Sequence, residues 1–222
     1  MKGIVLQEEL TEKFDVLNNR GEKTGDIISR DEAHKIGAWH GAFHCLIIYK
    51  RDNRAYALFQ KRAVNKMIAP DKYDVSVGGH YSSGEDARVA GPREIREELG
   101  LAVKFDELVP LGRRVFVYGF TPGVMEYEFQ EVFLLDRMVQ PAMLSLQQEE
   151  VSGVLEMEIE QGVCLFGSRS KTVEASLYRS SASPKAISVT KNDFVPCIDN
   201  YYLKLLLLAQ RYMRGERELL VI

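Results

Sequence analysis

The chain has 222 residues, a formal net charge of −3 from 29 Lys and Arg against 32 Asp and Glu, and 45% hydrophobic residues. That balance suits one sizeable globular α/β domain and offers neither a basic stripe for a nucleic-acid polymer nor a polybasic tail for a membrane. Cys45, Cys164 and Cys197 are widely spaced and form no CxxC pair, which argues against structural zinc or a disulfide framework and for a reducing, cytoplasmic setting.

In chain order, residues 13–28 predict a hairpin: FDVL and DIIS are short strands around the turn-rich NNRGEKTG. Residues 31–35 predict one helical turn. AFHCLIIY (42–49) is apolar and β-prone, as for a buried strand. A turn at 51–53 leads to the strand AYALFQKR. VNKMIAPDK is a loop, and YDVSVGG is a strand ending in two glycines. Residues 85–99 are helical in period. VPLGRRVFVYGF and YEFQEVFLLD read as two more strands, and the loop LSLQQEEVSGV leads to a short strand, LEMEI. The Ser-rich and basic stretch 167–195 is either a hairpin, with SLYR and AISV around SSASPK, or a mobile insertion. Residues 197–215 close as a helix, with Leu203, Leu206, Leu207 and Tyr212 near helical spacing. The first residues are acidic where a signal peptide needs an apolar core, and the apolar run 201–209 is too short to span a bilayer.

Chemistry concentrates in GHYSSGEDARVAGPREIREELGL, residues 79–101. Glu94, Glu97 and Glu98 stand at i, i+3 and i+4, so a helix places them on one face. Three neighbouring carboxylates repel one another, and the single Arg93 does not balance them. A hard divalent cation with oxygen ligands would, and magnesium fits, with manganese the alternative. The glycines before the helix let backbone approach a metal or phosphate closely. Glu85, near the helix start, can also reach the metal. Gly91-Pro92 interrupts the helical pattern, which predicts a kink or a helix that begins near Pro92.

The segment resembles the Nudix signature, with Gly79, Glu85, Arg93, Glu94, Ile95, Glu97, Glu98, Gly100 and Leu101 filling every specified position. The resemblance implies a mixed β-sheet sandwiched between α-helices, an α/β/α sandwich. It also implies that Glu94, Glu97 and Glu98 are the principal metal ligands, that the Gly79 carbonyl and Glu85 assist, and that Arg93 orients the glutamates. Residues of roughly 12–160 further resemble the Nudix branch related to isopentenyl-diphosphate isomerase. Isomerases carry a cysteine where Gly78 stands here and bind metal through histidines that His34, His40 and His80 approximately match. Cys45 lies on a different predicted strand. The complete box and the missing cysteine favour a hydrolase over an isomerase.

The expected function is therefore metal-dependent hydrolysis of a small organic diphosphate, such as a nucleoside diphosphate derivative. An isomerase-like enzyme and a non-catalytic binding protein are the alternatives. The catalytic set is Glu97, Glu94, Arg93 and Glu150; Glu150 of the late loop is aligned with a general-base role, with Glu149 as second choice. Substrate binding falls to Lys61, Arg62, Lys66 and His80, because basic groups offset diphosphate charge. Glu128 is a further candidate ligand, while Trp39 and Phe43 are expected to pack in the core. The chain is expected to be one domain over 1–222: a hairpin extension at 1–37, a catalytic core at 38–166, an insertion at 167–195 and a closing helix at 196–222. A homodimer is a family-level expectation.

Overall fold

In a computed structural model, residues 12–119, 121–179 and 183–222 are described. Strands β1 (Lys13–Leu17) and β2 (Lys23–Ser29) pair antiparallel as a separate two-stranded ribbon. Helix α1 (Arg30–Ile36) follows at once. The Ser29 side chain accepts from the Glu32 amide, and Gly37 ends the helix in the left-handed region.

The main sheet is mixed. Its strands are β3 (Trp39–Arg51), β4 (Arg54–Arg62), β5 (Tyr73–Asp74), β6 (Val77–His80), β7 (Leu108–Tyr118), β8 (Glu126–Asp136), β9 (Val151–Glu158), β10 (Val173–Tyr178) and β11 (Lys185–Val189). They run in the order β11-β10-β9-β4-β3-β8-β7, with β5 on β4 and β6 on β3. β3 and β8 are parallel, and the other strand pairings among the described residues are antiparallel, apart from an isolated parallel bridge between Tyr73 and Phe194.

Along β3, alternate residues feed two cores, which is why the run from Cys45 to Tyr49 is apolar throughout. Phe43, Cys45, Ile47 and Tyr49 pack on the side of helix α2 (Ala87–Leu99), while Leu46 and Ile48 pack on the side of helices α3 (Ile159–Phe166) and α4 (Tyr201–Met213). Helices thus cover both faces, as the sandwich expectation required. Phe43 packs against Phe133 in the core as expected, whereas Trp39 lies against Tyr127 and Phe129 but stays partly exposed outside the core.

The feature that positions the site is a splay. β3 and β4 pair only near their turn, from Ile48 opposite Ala57 to Arg51 opposite Arg54. Beyond it they diverge, and residues 73–80 wedge between them. The expected single strand YDVSVGG is therefore broken. Ser76 stands at the break: its hydroxyl donates to the Leu58 carbonyl at 2.5 Å and accepts from the Ile47 amide at 2.7 Å. One side chain so satisfies backbone groups of both splayed strands.

Two boundaries differ from the sequence reading, and one open alternative is decided. Helix α2 begins at Ala87, capped by Asp86, and not near Pro92. Gly91 explains the dipeptide: a Cβ there would lie 2.6 Å from the Phe43 ring, so glycine lets the helix settle on β3. Helix α4 begins at Tyr201, leaving 195–200 as a loop. The stretch 167–195 holds the β10–β11 hairpin, with Val173, Ala175, Leu177 and Val189 in the core. Part of its expected tip, residues 180–182, lies outside the described residues.

Candidate active site

A cavity of about 420 Å³ opens at the splay and reaches both faces of the sheet. Its first half belongs to α2. Glu94 and Glu98 are buried, while Glu97 is half exposed. The Arg93 guanidinium donates to Glu94 at 2.9 Å, to Glu97 at 3.0 Å, to both Glu85 oxygens at 3.1 and 2.7 Å, and to the His80 carbonyl at 3.3 Å. Glu85 sits outside the helix, accepts also from the Ser82 amide, and acts here as the partner of Arg93. Gly79 is pressed against Glu94: a Cβ would fall 2.2 Å from its carboxyl carbon.

Burial, reinforced by the charge of Glu97 and opposed by Arg93, pushes the Glu94 carboxyl up to about 7. Burial and the charges of Glu94 and Glu150 push Glu98 well above the usual carboxylate range. Among the described residues its side chain accepts from the Gln60 amide at 3.3 Å. Carboxylates so raised favour a counter-cation, so the donor set fits the oxygen-ligated divalent metal that the sequence implies.

The late loop reaches this face because it is stitched to the helix end. The Gln147 amide donates to the Glu98 carbonyl at 3.1 Å, and the Ala63 amide donates to the Glu150 carbonyl at 2.9 Å. Glu150 lines the cavity and is ion-paired to Lys66; Glu149 is exposed and lies outside it. Arg62 lines the cavity and donates to the Ile68 carbonyl at 2.8 and 3.1 Å. Lys61 is a correction. Strand alternation turns it away from the cavity, where its ammonium bonds Asp71 and lies 5.0 Å from the centre of the Tyr73 ring.

The second half is a cluster of imidazoles and carboxylates. His34 comes from α1, His40 from β3, His80 from β6, and Glu126 and Glu128 from β8. One ligating atom from each of His34, His40, His80 and Glu126 lies within 4.8 Å of the others. His80 Nε2 is 2.9 Å from Glu128 and 3.3 Å from Glu126, so His80 is tied to acids here and not set out as a phosphate contact. Burial pulls His80 down, but the two carboxylates outweigh it and push it up to about 10. Burial and the charge of His80 lower His34 to about 3 and His40 to about 4.

Nε2 of His34 and Nε2 of His40 are buried without a hydrogen-bond partner among the described residues. His40 Nδ1 lies 2.9 Å from the Ala38 carbonyl, which requires the ring proton on Nδ1 and leaves Nε2 a bare lone pair. That lone pair faces a Glu128 oxygen at 3.8 Å, acceptor against acceptor. A cation between them resolves the conflict, and nitrogen-rich donors of this kind suit a transition metal better than magnesium.

Sequence reasoning named His34, His40, His80 and Glu128 but missed Glu126. The signal was present: in EYEFQ, alternation puts Glu126, Glu128 and Gln130 on one strand face. It also missed the far wall. Arg114 is held by Asp199 through bonds of 2.8 and 2.9 Å and lies 3.8 Å from the centre of the Tyr201 ring; Cys197 and Tyr202 line the same wall. Cys45 is buried in the opposite core, with its thiol pushed up by burial.

The model of the NUDIX domain matches residues 38–168. An uncharacterised Nudix hydrolase of Clostridium acetobutylicum is 30% identical over 203 residues, covering 89% of this chain and 95% of that protein. An isopentenyl-diphosphate Delta-isomerase of Aliivibrio fischeri is 30% identical over 146 residues, covering 65% of this chain and 79% of the isomerase. Among solved structures, a protein of Deinococcus radiodurans superposes with a TM-score of 0.50 at 24% identity, over 71% of this chain and 90% of that one, which supports the fold.

Proposed function

The chain belongs to the Nudix family of hydrolases, and from that premise we propose that it cleaves the diphosphate linkage of a small organic diphosphate with magnesium at the box glutamates. The observation that carries this reading is the pair of buried carboxylates, Glu94 and Glu98, on one helix face against Gly79 and short of positive charge. Glu94, Glu97 and Glu98 would hold the cation, with the Gly79 carbonyl beside them. A divalent cation bound there neutralises charge on the diphosphate and makes water a better nucleophile. Arg93 orients the glutamates. Glu150 takes the proton of the attacking water, and Lys66 and Arg62 face the diphosphate across the same cavity.

The test is magnesium-dependent phosphate release over a panel of diphosphates, with Glu97→Gln alongside. The variant should lose roughly a hundredfold or more in kcat, as when one group that stabilises developing charge is removed. Wild type and variant that are equally inert on every compound would sink the reading.

One observation favours a second reading. His34, His40 and His80, which approximately match histidines that bind metal in the isomerases, are gathered with Glu126 into one group of potential ligands. Against it, Gly78 replaces the cysteine the isomerase needs, and Cys45 is sealed in the core. Conversion of isopentenyl diphosphate to its isomer would promote this rival. Residues 1–222 are taken as one Nudix unit, an assignment supported by the continuation of the central sheet through β10 and β11. Cysteine usage supports a cytoplasmic setting, and family precedent supports a homodimer, which light scattering would test. Among the described residues no helix is long and apolar enough to cross a membrane.

A further inference from the structure

His44 belongs to neither metal-ligand group. It is 8% exposed and lines the cavity on the face covered by α4. The β3–β6 ladder sets it directly opposite Gly78, so the two positions share a face. Its Nδ1 lies 3.0 Å from the Tyr201 hydroxyl. Tyr201 is 1% exposed, burial keeps its phenol protonated, and its hydroxyl has no other hydrogen bond among the described residues. A buried O–H needs an acceptor, so Nδ1 accepts and the ring proton sits on Nε2. Burial holds the ring neutral by lowering it to about 4.

Nε2 has no hydrogen-bond partner among the described residues. A Cβ on Gly78 would lie 3.3 Å from it, so the Nε2 edge borders space that glycine leaves open in the cavity both residues line. On the α4 side the wall is aromatic, with Tyr201 and Tyr202 beside Cys197, and its charges are engaged with partners: Arg114 is held by Asp199, and Asp74 accepts from the Tyr202 hydroxyl at 3.0 Å. The cations Lys66 and Arg62 stand at the box side with Glu150.

We propose that His44 is a substrate-binding residue whose Nε2–H donates a hydrogen bond to an oxygen of the substrate's organic group, selecting hydroxylated, sugar-like diphosphates over hydrocarbon ones. The proposal rests on the diphosphate-hydrolase reading and adds what the diphosphate is attached to. A hydrocarbon tail in this place leaves a buried N–H unpaired, and sites built around such donors discriminate strongly against partners that cannot accept. Tyr201 is a positioning residue: it sets the tautomer that makes Nε2 a donor. Gly78 is the matching gap.

The experiment is calorimetric binding with calcium in place of magnesium, using ADP-ribose, UDP-glucose, isopentenyl diphosphate and inorganic pyrophosphate as probes. Wild type should bind at least one sugar-bearing probe more tightly than isopentenyl diphosphate. His44→Phe should weaken that probe about tenfold while leaving isopentenyl diphosphate and pyrophosphate within about twofold. His44→Gln, which keeps an N–H donor, should recover part of the loss. Gly78→Ala, which crowds Nε2 without touching the box, should weaken the same probe selectively. Equal losses on all probes would mean a diphosphate contact or a purely structural role, and would overturn the proposal. So would a wild type that binds no sugar-bearing probe better than isopentenyl diphosphate. Hydrolysis of the same probes with magnesium is scored separately. If none is cleaved, the hydrolase reading fails while the binding result still decides the role of His44.

Discussion

At the scale of single residues, Arg93 holds the most of the box together. It bonds Glu85, Glu94, Glu97 and the His80 carbonyl at once, a set that a planar five-donor fork can satisfy and a point ammonium cannot. Arg93→Lys should therefore raise the magnesium concentration needed for half-maximal activity by about 10–100-fold, the usual cost of losing a group that orients metal ligands. An unchanged magnesium curve would show that the glutamates orient themselves. Residue identity carried much of the site to the reader: the spacing of Glu94, Glu97 and Glu98 announces a shared face, and the structure delivers it. What spacing does not announce is burial. Glu98 is enclosed because Gln60, Lys66 and Glu150 come in from other elements, and nothing near residue 98 in the chain reports them. Arg114 was equally silent, since the partner that fixes it, Asp199, lies 85 residues away.

At the scale of elements, the seat of α2 on β3 depends on the absence of a side chain at Gly91. Gly91→Ala drives a methyl into Phe43 at 2.6 Å and should cost about 1–3 kcal/mol by overpacking, although alanine is the better helix former. Chemical denaturation measures this, and a stabilised variant would show that the helix shifts freely. A second joint ties three strands. Glu156 of β9 accepts from Arg51 of β3 at 2.7 and 2.9 Å, from the Tyr49 hydroxyl, and from Tyr178 of β10 at 3.2 Å. Burial works to raise its carboxyl, but Arg51 and the hydroxyls hold it below its ordinary 4.5. A depressed carboxylate contributes stability above pH 4.5 that is lost as pH falls through the lower folded value. Glu156→Gln should thus cost about 1–3 kcal/mol at pH 7, and the gap to wild type should close under acid. A pH-independent gap would assign the loss to packing. Elements themselves were mostly legible, because hydrophobic period and turn residues are local signals. The break at Ser76 was not, since it answers to two strands that Ser76 meets only after folding.

For the whole molecule, two clusters of different donor chemistry share one cavity, oxygen-rich on the α2 side and imidazole-rich on the other. Chelation followed by dialysis should lower Tm, and zinc or manganese should restore it in wild type but not in His40→Ala, because only the wild type offers the bare Nε2 lone pair. Magnesium should support turnover without reproducing that recovery. A variant that recovers as fully as wild type would dissociate His40 from metal binding. The fold-level outline is legible in the sequence, yet the sharing of one cavity is not, since it arises from the divergence of β3 and β4.

That divergence makes neighbouring residues of β6 serve opposite sides of the sheet. Gly79 presses against Glu94 on the side of the box, and Gly78 opens onto His44 on the side of α4. A strand of this kind tolerates many replacements better than it tolerates a change of length. One residue inserted or deleted in the wedge before Val77 would exchange the two glycines between faces and send His80 away from Glu126 and Glu128. Both chemistries would be lost together, from a lesion that alters none of the residues proposed to hold a metal or a phosphate.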